Sequence, residues 1–212
     1  METVPDYLDL LDWRRRVFEL YADVRRSSDP KAAWLGWRSV RDQLFATHPQ
    51  SPVPRPDRVR FPGLSYFDYE PRARVVAQVE GVDAAAQPLQ RNDGGTFGYV
   101  RFGVARFNLF DVAVSLEVYW LDGYGGGLFV PFRDATSGGE TYGGGRYLLD
   151  SVKGADLGGA RGTLTMDFNF AYHPSCVYDP QWSCPLAPLA NRVRVPIRAG
   201  ERLAAGPRRS AG

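Results

Sequence analysis

VAVSLEVYW, residues 112–120, carries the strongest strand pattern in the chain. Its apolar positions alternate strictly with the others: Val112, Val114, Leu116, Val118 and Trp120 against Ala113, Ser115, Glu117 and Tyr119. Such alternation predicts a β-strand with one face toward a core. A glycine-rich turn at residues 122–127 and the apolar run LFVPF at residues 128–132 follow directly. Together these segments predict a β-hairpin.

Period-two patterns recur on both sides of this hairpin. They lie at residues 74–79, 97–110, 164–170 and 193–199. The chain also has 23 Gly and 16 Pro, which favours short strands joined by turns. We therefore predict a mainly β fold in which residues 61–201 form an antiparallel β-barrel or sandwich. Pro196 makes the last strand an edge strand, and residues 202–212 are predicted to be a flexible tail.

Two helices are predicted before the β domain, in a helical segment at residues 6–47. Asp6 is a candidate N-cap for the first helix, and Asp29 followed by Pro30 suits the start of the second. His48-Pro49 should end the second helix. Apolar residues recur at helical spacing in both: Leu10, Trp13, Val17, Leu20 and Val24, then Trp34, Trp37, Val40 and Leu44.

The two helical stripes have two interpretations. They can pack on the β domain and complete its core, which is the usual role of an apolar helix face, or they can dock on another protein or a membrane surface. We favour packing on the core. Residues 48–60 contain four prolines and are predicted to be an extended connector between the helices and the β domain. The whole chain, residues 1–212, is then a single domain.

Composition and charge exclude several classes of protein. The net charge is +2, and the 26 Lys and Arg residues are spread along the chain, so a nucleic-acid partner is not expected. No apolar run approaches the roughly 18 residues of a membrane span, and residues 1–6 lack the basic start of a secretory signal. We expect a cytoplasmic protein without a membrane segment, in which both cysteines stay reduced. The sequence indicates no cofactor and does not define an oligomeric state.

Residues 167–191, DFNFAYHPSCVYDPQWSCPLAPLAN, hold more reactive and hydrogen-bonding side chains than any other segment. Asp167 and Asn169 are two residues apart on a predicted strand, so their side chains should share one face. The opposite face carries Phe168 and Phe170, which belong in a core. Asp167 and Asn169 therefore point to solvent or into a polar interior, where they can bind a ligand.

Cys176, Cys184 and His173 allow four interpretations. They can ligate a soft metal, but a separation of seven residues lacks the C-x2-C spacing of a zinc site, so we predict none. They can form a disulfide, which a reducing compartment opposes. His173 can activate one thiol as a nucleophile. The favoured interpretation is that both thiols simply pack in the interior.

Glycine-rich turns define a second constellation, FRDATSGGETYGGGRYL at residues 132–148. Asp134 and Arg146 flank it and can pair to hold the two ends of the loop together. Alternatively, backbone N–H groups, Tyr142 and Arg146 can receive an anion. The structural interpretation is favoured, because glycine-rich turns between strands are common and no Gly-Lys-Ser/Thr follows.

Several catalytic motifs are absent from the sequence. There is no G-x-S-x-G elbow, no H-E-x-x-H and no dinucleotide fingerprint. Only His48 and His173 are available to a Ser–His or Cys–His mechanism. Enzyme hypotheses are thereby restricted to the surroundings of these two residues.

Residues 132–148, the motif D-F-N-x-A-Y from Asp167, and C-x7-C-P-L from Cys176 together resemble the bacterial and archaeal domain-of-unknown-function family 1684. The resemblance extends from about Leu8 to Glu201 and implies a single domain with a shared site, without an activity. This chain departs from the family pattern at His173, usually Asn, which weakens both the metal and the Cys–His hypotheses. Matching positions are Asp134, Thr136, Thr141, Tyr142, Gly145, Arg146, Asp167, Asn169, Tyr172, Cys176, Cys184, Pro185 and Asn191.

We therefore predict that the β domain binds a small polar or anionic molecule where the glycine-rich loop meets the cysteine loop. The candidate ligand-binding residues are Asp134, Tyr142, Arg146, Asp167, Asn169, Cys176, Cys184 and Asn191. One alternative is a partner-binding protein that uses the N-terminal helices. The other is an enzyme that uses a thiol or a metal at Cys176 and Cys184.

Overall fold

The computed structural model describes residues 4–204, so most of the predicted flexible tail lies outside the described residues. Three helices come first: α1 (Val4–Arg26), α2 (Pro30–Thr47) and the single turn α3 (Arg55–Arg58). The Asp29 carboxylate accepts hydrogen bonds from the N–H groups of Lys31 and Ala32, so α2 begins where its capping residue predicts. His48 ends it, also as predicted.

Eight strands follow the helices. They are β1 (Arg74–Ala86), β2 (Leu89–Gln90), β3 (Thr96–Phe97), β4 (Tyr99–Leu109), β5 (Val112–Leu121), β6 (Leu128–Phe132), β7 (Arg146–Asp150) and β8 (Thr163–Asp167). Six of them form one antiparallel sheet in the order β7-β6-β5-β4-β1-β8, and β2 pairs with β3. The sheet curls into a half-barrel. The predicted fold class, mainly antiparallel β with an N-terminal helical segment, is confirmed.

The two long helices pack on this sheet and complete its core. Trp37 on α2 is fully buried and meets Phe170 edge-on, with ring centroids 5.2 Å apart. Leu20 and Tyr21 on α1 are buried in the same cluster. Burying large side chains such as these stabilises a fold by about 1.5–3 kcal/mol each. The prediction that the helical stripes pack on the β domain is confirmed.

The opposite face of the sheet carries a second, aromatic core near the β5–β6 hairpin. Tyr119 is fully buried there with Tyr99, Phe129 and Tyr147. A β-bulge in β4 between Arg101 and Gly103 shifts the register opposite Val118 and Tyr119. For this reason β5 buries side chains on both faces at its end, instead of on one face throughout as the alternation alone predicts.

Three local predictions were wrong. β8 ends at Asp167, and residues 168–170 form a 3-10 turn because the Asp167 carboxylate accepts the N–H of Asn169. Residues 193–199 form no strand, since side chains from the glycine-rich loop take their backbone hydrogen bonds. The connector at residues 48–60 is not wholly extended, because it contains α3, and strands begin only at Arg74, not at Phe61.

No helix within residues 4–204 has the length and apolarity needed to cross a membrane.

Candidate functional site

Asp134 and Arg146 lie at the two ends of the glycine-rich loop and are completely buried. Arg146 Nη2 lies 3.4 Å from Asp134 Oδ1 and donates to the carbonyl of Ile197 at 2.8 Å. Its Nη1 donates to the carbonyls of Ala199 and Glu201. Asp134 Oδ2 accepts the N–H of Ile197 at 2.6 Å. The pair therefore holds the segment at residues 197–201 in place of a neighbouring strand.

The energetics of this pair fit a structural role. Burial lowers the pKa of Arg146, and the charge of Asp134 opposes that effect. Thr136 donates to the same carboxylate at 2.9 Å, and the Thr136 and Thr141 hydroxyls are 3.0 Å apart. The hydrogen-bonding capacity of Asp134 is thus used within the loop, which leaves little for a ligand.

Glu201 forms a buried ionic centre beside this loop. Its Oε2 accepts from Arg41 Nη2 at 2.9 Å and from the backbone N–H of His173 at 3.1 Å. Its Oε1 is 3.5 Å from His173 Nδ1. Burial would raise the pKa of Glu201, but the hydrogen bond from His173 and the charge of Arg41 together lower it. Glu201 is therefore an ionised carboxylate in the interior.

His173 connects the ionic centre to the cysteine loop. Its Nε2 accepts the backbone N–H of Tyr142 at 3.2 Å, so the proton of a neutral ring belongs on Nδ1, facing Glu201. Both ring nitrogens thus engage Tyr142 and Glu201. The sequence hypothesis that His173 activates a cysteine is not supported by these contacts.

Tyr142, Cys176 and Cys184 cluster on the other side of His173. Cys176 Sγ lies 3.9 Å from Tyr142 Oη, and the two cysteine thiols hydrogen-bond each other. Both cysteines are free; Cys176 is half-buried and Cys184 is buried. Burial raises the pKa of Tyr142 to about 12, so its hydroxyl is protonated at neutral pH. Within residues 4–204 no group of three or more His, Cys, Asp or Glu side chains is placed to hold a metal ion.

Asp167 and Asn169 lie elsewhere, beneath the start of α2. Asn169 donates to Asp167 Oδ1 at 2.8 Å and exchanges two hydrogen bonds, both 2.8 Å, with the backbone of Glu70. Asp167 Oδ2 is buried and has no partner among the described residues. It borders a cavity of about 60 Å³ that Arg25 and Arg74 also line. Burial raises the pKa of Asp167.

Asn191 occupies a third location, between β5 and β6. Its Oδ1 accepts the N–H of Glu117 at 2.7 Å, and its Nδ2 donates to the carbonyls of Glu117 and Pro131 at 3.0 and 2.7 Å. Since Pro131 has no N–H to offer β5, the Asn191 amide supplies the missing donor. The eight predicted residues therefore fall into three groups, of which only Asp134, Tyr142, Arg146, Cys176 and Cys184 are connected, through His173 and Glu201.

A pocket between the two long helices and the sheet borders this connected group. We call it the helix–sheet pocket; it has a volume of about 70 Å³. It is lined by Trp13, Val17, Tyr21, Arg41, Phe45, Pro52, Tyr147, Lys153, Ala155, Tyr172, His173, Pro174 and Ser175. No acidic side chain is among these described lining residues, whereas Arg41 and Lys153 bring positive charge.

Two polar groups of the helix–sheet pocket are not fully used by the fold. Tyr21 Oη is buried without a hydrogen-bond partner among residues 4–204. Burial raises the pKa of Tyr21 to about 12, so it remains a donor. Arg41 Nε faces Tyr66 Oη at 3.3 Å and Nη2 binds Glu201, while Nη1 makes no hydrogen bond within the described part of the chain.

The sequence did not predict Tyr21, Arg41 or Lys153 as site residues. Tyr21 and Arg41 lie on helices whose stripes indicated a core, and Lys153 follows β7 without a motif. Glu201 closes the A-G-E motif of residues 199–201 but carried no assigned role. Only the two lysines of the chain, Lys31 and Lys153, stood out among 26 basic residues, and that rarity was a weak signal.

Fold and site define a class: a helix-covered antiparallel half-barrel with a buried ionic centre and a small basic pocket. The model of a family described as protein of unknown function (DUF1684) matches residues 59–202, and the chain belongs to this family. The chain is also similar to an uncharacterised protein of Haloarcula marismortui with a solution NMR structure. The two are 37% identical, with a TM-score of 0.58, over 78% of this chain and 90% of that one. No curated protein matched the chain.

Proposed function

We propose that the protein binds a small organic anion, a carboxylate, in the helix–sheet pocket. The observation that carries this proposal is the pairing of an unpartnered, buried Tyr21 hydroxyl with the Arg41 guanidinium in a pocket without an acidic lining residue. A carboxylate accepts hydrogen bonds from a guanidinium and a phenol at once, and charge-assisted bonds of this kind are the strong ones.

The size and walls of the pocket restrict the ligand. A volume of about 70 Å³ holds roughly five water-sized groups, enough for a carboxylate and a few more atoms. Trp13, Phe45 and Tyr172 present aromatic walls, which suit an apolar substituent on the anion. Lys153, with 55% of its side chain exposed, lies at the mouth and favours approach of a negative charge.

Titrations with acetate, propionate and benzoate, followed by NMR chemical shifts and Trp fluorescence, test the proposal. We expect saturable binding of at least one of these acids. Benzamide, the uncharged analogue of benzoate, should bind at least about tenfold more weakly, since it cannot form the charge-assisted bonds. Equal binding of acid and amide, or no binding of any acid, would contradict an anion site.

Tyr21→Phe removes only the unpartnered hydroxyl and should weaken binding of the acid about tenfold. Tyr178→Phe is a matched control, because Tyr178 Oη is also buried without a partner among the described residues but does not line the helix–sheet pocket. The control should bind like the wild type. If both variants bind equally, Tyr21 is not part of the site.

A second candidate, self-association through α1, rests on a different observation. Leu8, Leu11 and Phe18 are between 43% and 60% exposed and share one helix face at spacings of three and seven. Asp6 and Asp9 precede this face, whereas Arg14 and Arg15 follow Leu11. An antiparallel pair of α1 helices from two copies would bury the apolar face and place opposite charges side by side.

Sedimentation equilibrium tests this second candidate. We expect the wild type to dimerise and Leu11→Glu to be monomeric, because a buried unpaired carboxylate opposes the interface. Leu35→Glu, at a 52% exposed position on α2, is the control and should leave the dimer intact. A wild-type protein that stays monomeric at every concentration examined would exclude this role.

A further inference from the structure

Cys176 and Cys184 are held against each other by two independently anchored backbone segments. Cys184 donates its N–H to Asn92 Oδ1 at 2.6 Å, and its carbonyl accepts the N–H of Asn92 at 3.1 Å. Cys176 lies in the 3-10 helix Ser175–Val177, which Val177 closes onto Pro174 at 3.1 Å. Because both segments are fixed by hydrogen bonds, the two thiols stay in contact rather than meeting by chance.

The surroundings of Cys184 favour a thiolate. The Cys176 thiol lowers the pKa of Cys184 to about 6, against the opposing effect of burial, and the backbone N–H groups of Cys176 and Ser175 and the charge of Lys153 act in the same direction. The hydrogen bond to Cys184 and burial raise the pKa of Cys176. One proton is thus shared by the pair and resides on Cys176.

Access to the pair comes from the side of Cys176, which is half-buried, whereas Cys184 is buried behind it. A thiolate next to a second thiol is the arrangement that small oxidants convert to a disulfide. Only seven residues separate the cysteines, so the bond would close a short loop without joining distant parts of the fold.

We propose that Cys176 and Cys184 form a site of reversible oxidation by small hydroperoxides. The Cys184 thiolate attacks one peroxide oxygen, the O–O bond breaks, and the departing alkoxide or hydroxide is protonated, which leaves a sulfenic acid on Cys184. The sulfur of Cys176 then displaces the sulfenic hydroxyl, which leaves as water with the Cys176 proton. In sum, two thiols and one hydroperoxide give one disulfide, one alcohol or water, and one further water.

The test begins with the native protein, hydrogen peroxide at pH 7, and alkylation of the remaining thiols. Intact mass and peptide mapping should show the loss of two hydrogen atoms and a Cys176–Cys184 crosslink, and dithiothreitol should restore both thiols. Two free thiols that stay unmodified until the protein unfolds would overturn the proposal. Crosslinks only between molecules would do the same.

Single variants separate the two cysteines. In Cys176→Ser, peroxide should leave Cys184 as a sulfenic acid that dimedone traps, with no disulfide. In Cys184→Ser, Cys176 should react several times more slowly, since little of it is thiolate at pH 7. A Cys184→Ser variant as fast as the wild type would overturn the assignment of the thiolate.

The pH dependence of the wild-type rate provides an independent readout. Tyr142, Tyr147 and Lys153 are the titratable groups that face the pair, and none of them titrates in the acidic range. The rate of alkylation by iodoacetamide should therefore level off above a midpoint near pH 6. A midpoint near the ordinary thiol value of about 8.5 would contradict the shared-proton arrangement. These experiments need no ligand, so their outcome is independent of the proposed anion site.

Discussion

Arg41 Nη2 lies 2.9 Å from Glu201 Oε2, and this buried ion pair ties α2 to the last stretch of the described chain. The Arg41 side chain is 11% exposed and that of Glu201 is 1% exposed, so solvent screens the pair little. The Arg41 guanidinium also lies 4.8 Å above the Trp37 ring and 5.1 Å from the Tyr172 ring centroid. The same residue therefore joins helix, sheet and pocket.

Glu201→Gln should destabilise the protein by about 3 kcal/mol at pH 7, because Arg41 is left as an unpaired charge in the interior. The lowered pKa of Glu201 sets the pH dependence. A carboxylate with a lowered pKa stabilises the fold above its unfolded pKa of about 4.3, and this contribution is lost as pH falls through the folded pKa. The deficit of the variant, measured by urea unfolding, should thus shrink in acid.

The exposed pair Arg106–Glu80 is the control for this experiment. Its side chains are 57% and 58% exposed, so Glu80→Gln should have no measurable effect. Equal unfolding curves for Glu201→Gln and Glu80→Gln at pH 7 would mean that the buried pair does not contribute to stability.

Asp167→Asn should preserve or increase stability at neutral pH. Its Oδ1 keeps the hydrogen bonds from Asn169, while the unpartnered, buried charge is removed. Burial raises the pKa of Asp167, so its favourable contribution is present below the unfolded value of about 3.9 and is lost as pH rises through the folded pKa. Urea unfolding from pH 4 to pH 7 should show the variant gaining on the wild type as pH rises.

Asp134→Asn is the matched variant with the opposite expectation. Both Asp134 oxygens accept hydrogen bonds, and the carboxylate is the counter-charge of Arg146. Its replacement should destabilise the protein by about 3–5 kcal/mol, since breaking a buried pair strands the remaining charge. If Asp167→Asn is as damaging as Asp134→Asn, Asp167 has an ionic partner that its present contacts do not include.

Tyr21→Phe and Tyr147→Phe remove chemically identical hydroxyls with different consequences. Tyr21 Oη is unpartnered within residues 4–204, so its loss should change the free energy of unfolding by less than about 0.5 kcal/mol or raise it. Tyr147 Oη donates to the Pro185 carbonyl at 2.6 Å, and losing that bond should cost about 1–2 kcal/mol. Thermal and urea unfolding without ligand measure both. A larger loss for Tyr21→Phe would contradict the unpaired hydroxyl.

Local chemistry explains how much of the fold the sequence predicted. Residues 112–120 alternate strictly, and Asp29-Pro30 caps a helix by itself, so both predictions needed no distant partner. The strand predicted at residues 193–199 failed because Asp134 and Arg146, about fifty residues earlier, take its backbone groups. Hydrogen bonds over such sequence separations leave no periodic pattern to detect.

The candidate site was predictable only in part for the same reason. Asp134 and Arg146 were correctly paired, because they flank one loop. Asp167 and Asn169 were placed on a common strand face, and the Asp167 carboxylate instead folded the next three residues into a turn. Tyr21 and Arg41 reach the pocket from helices whose apolar stripes describe packing and say nothing about their polar tips.

Asn191→Asp tests the amide that replaces a strand contact between β5 and β6. The new carboxylate would face the Glu117 and Pro131 carbonyls, which then lose their donor. Leaving two buried acceptors unpaired should cost about 3 kcal/mol or more at pH 7, measured by urea unfolding. Protonation restores one O–H donor, so the deficit should be smaller at pH 4. Asn108→Asp, at an exposed position on β4, should change stability by less than about 0.5 kcal/mol. Similar curves for the two variants would show that β5 and β6 do not depend on the Asn191 amide.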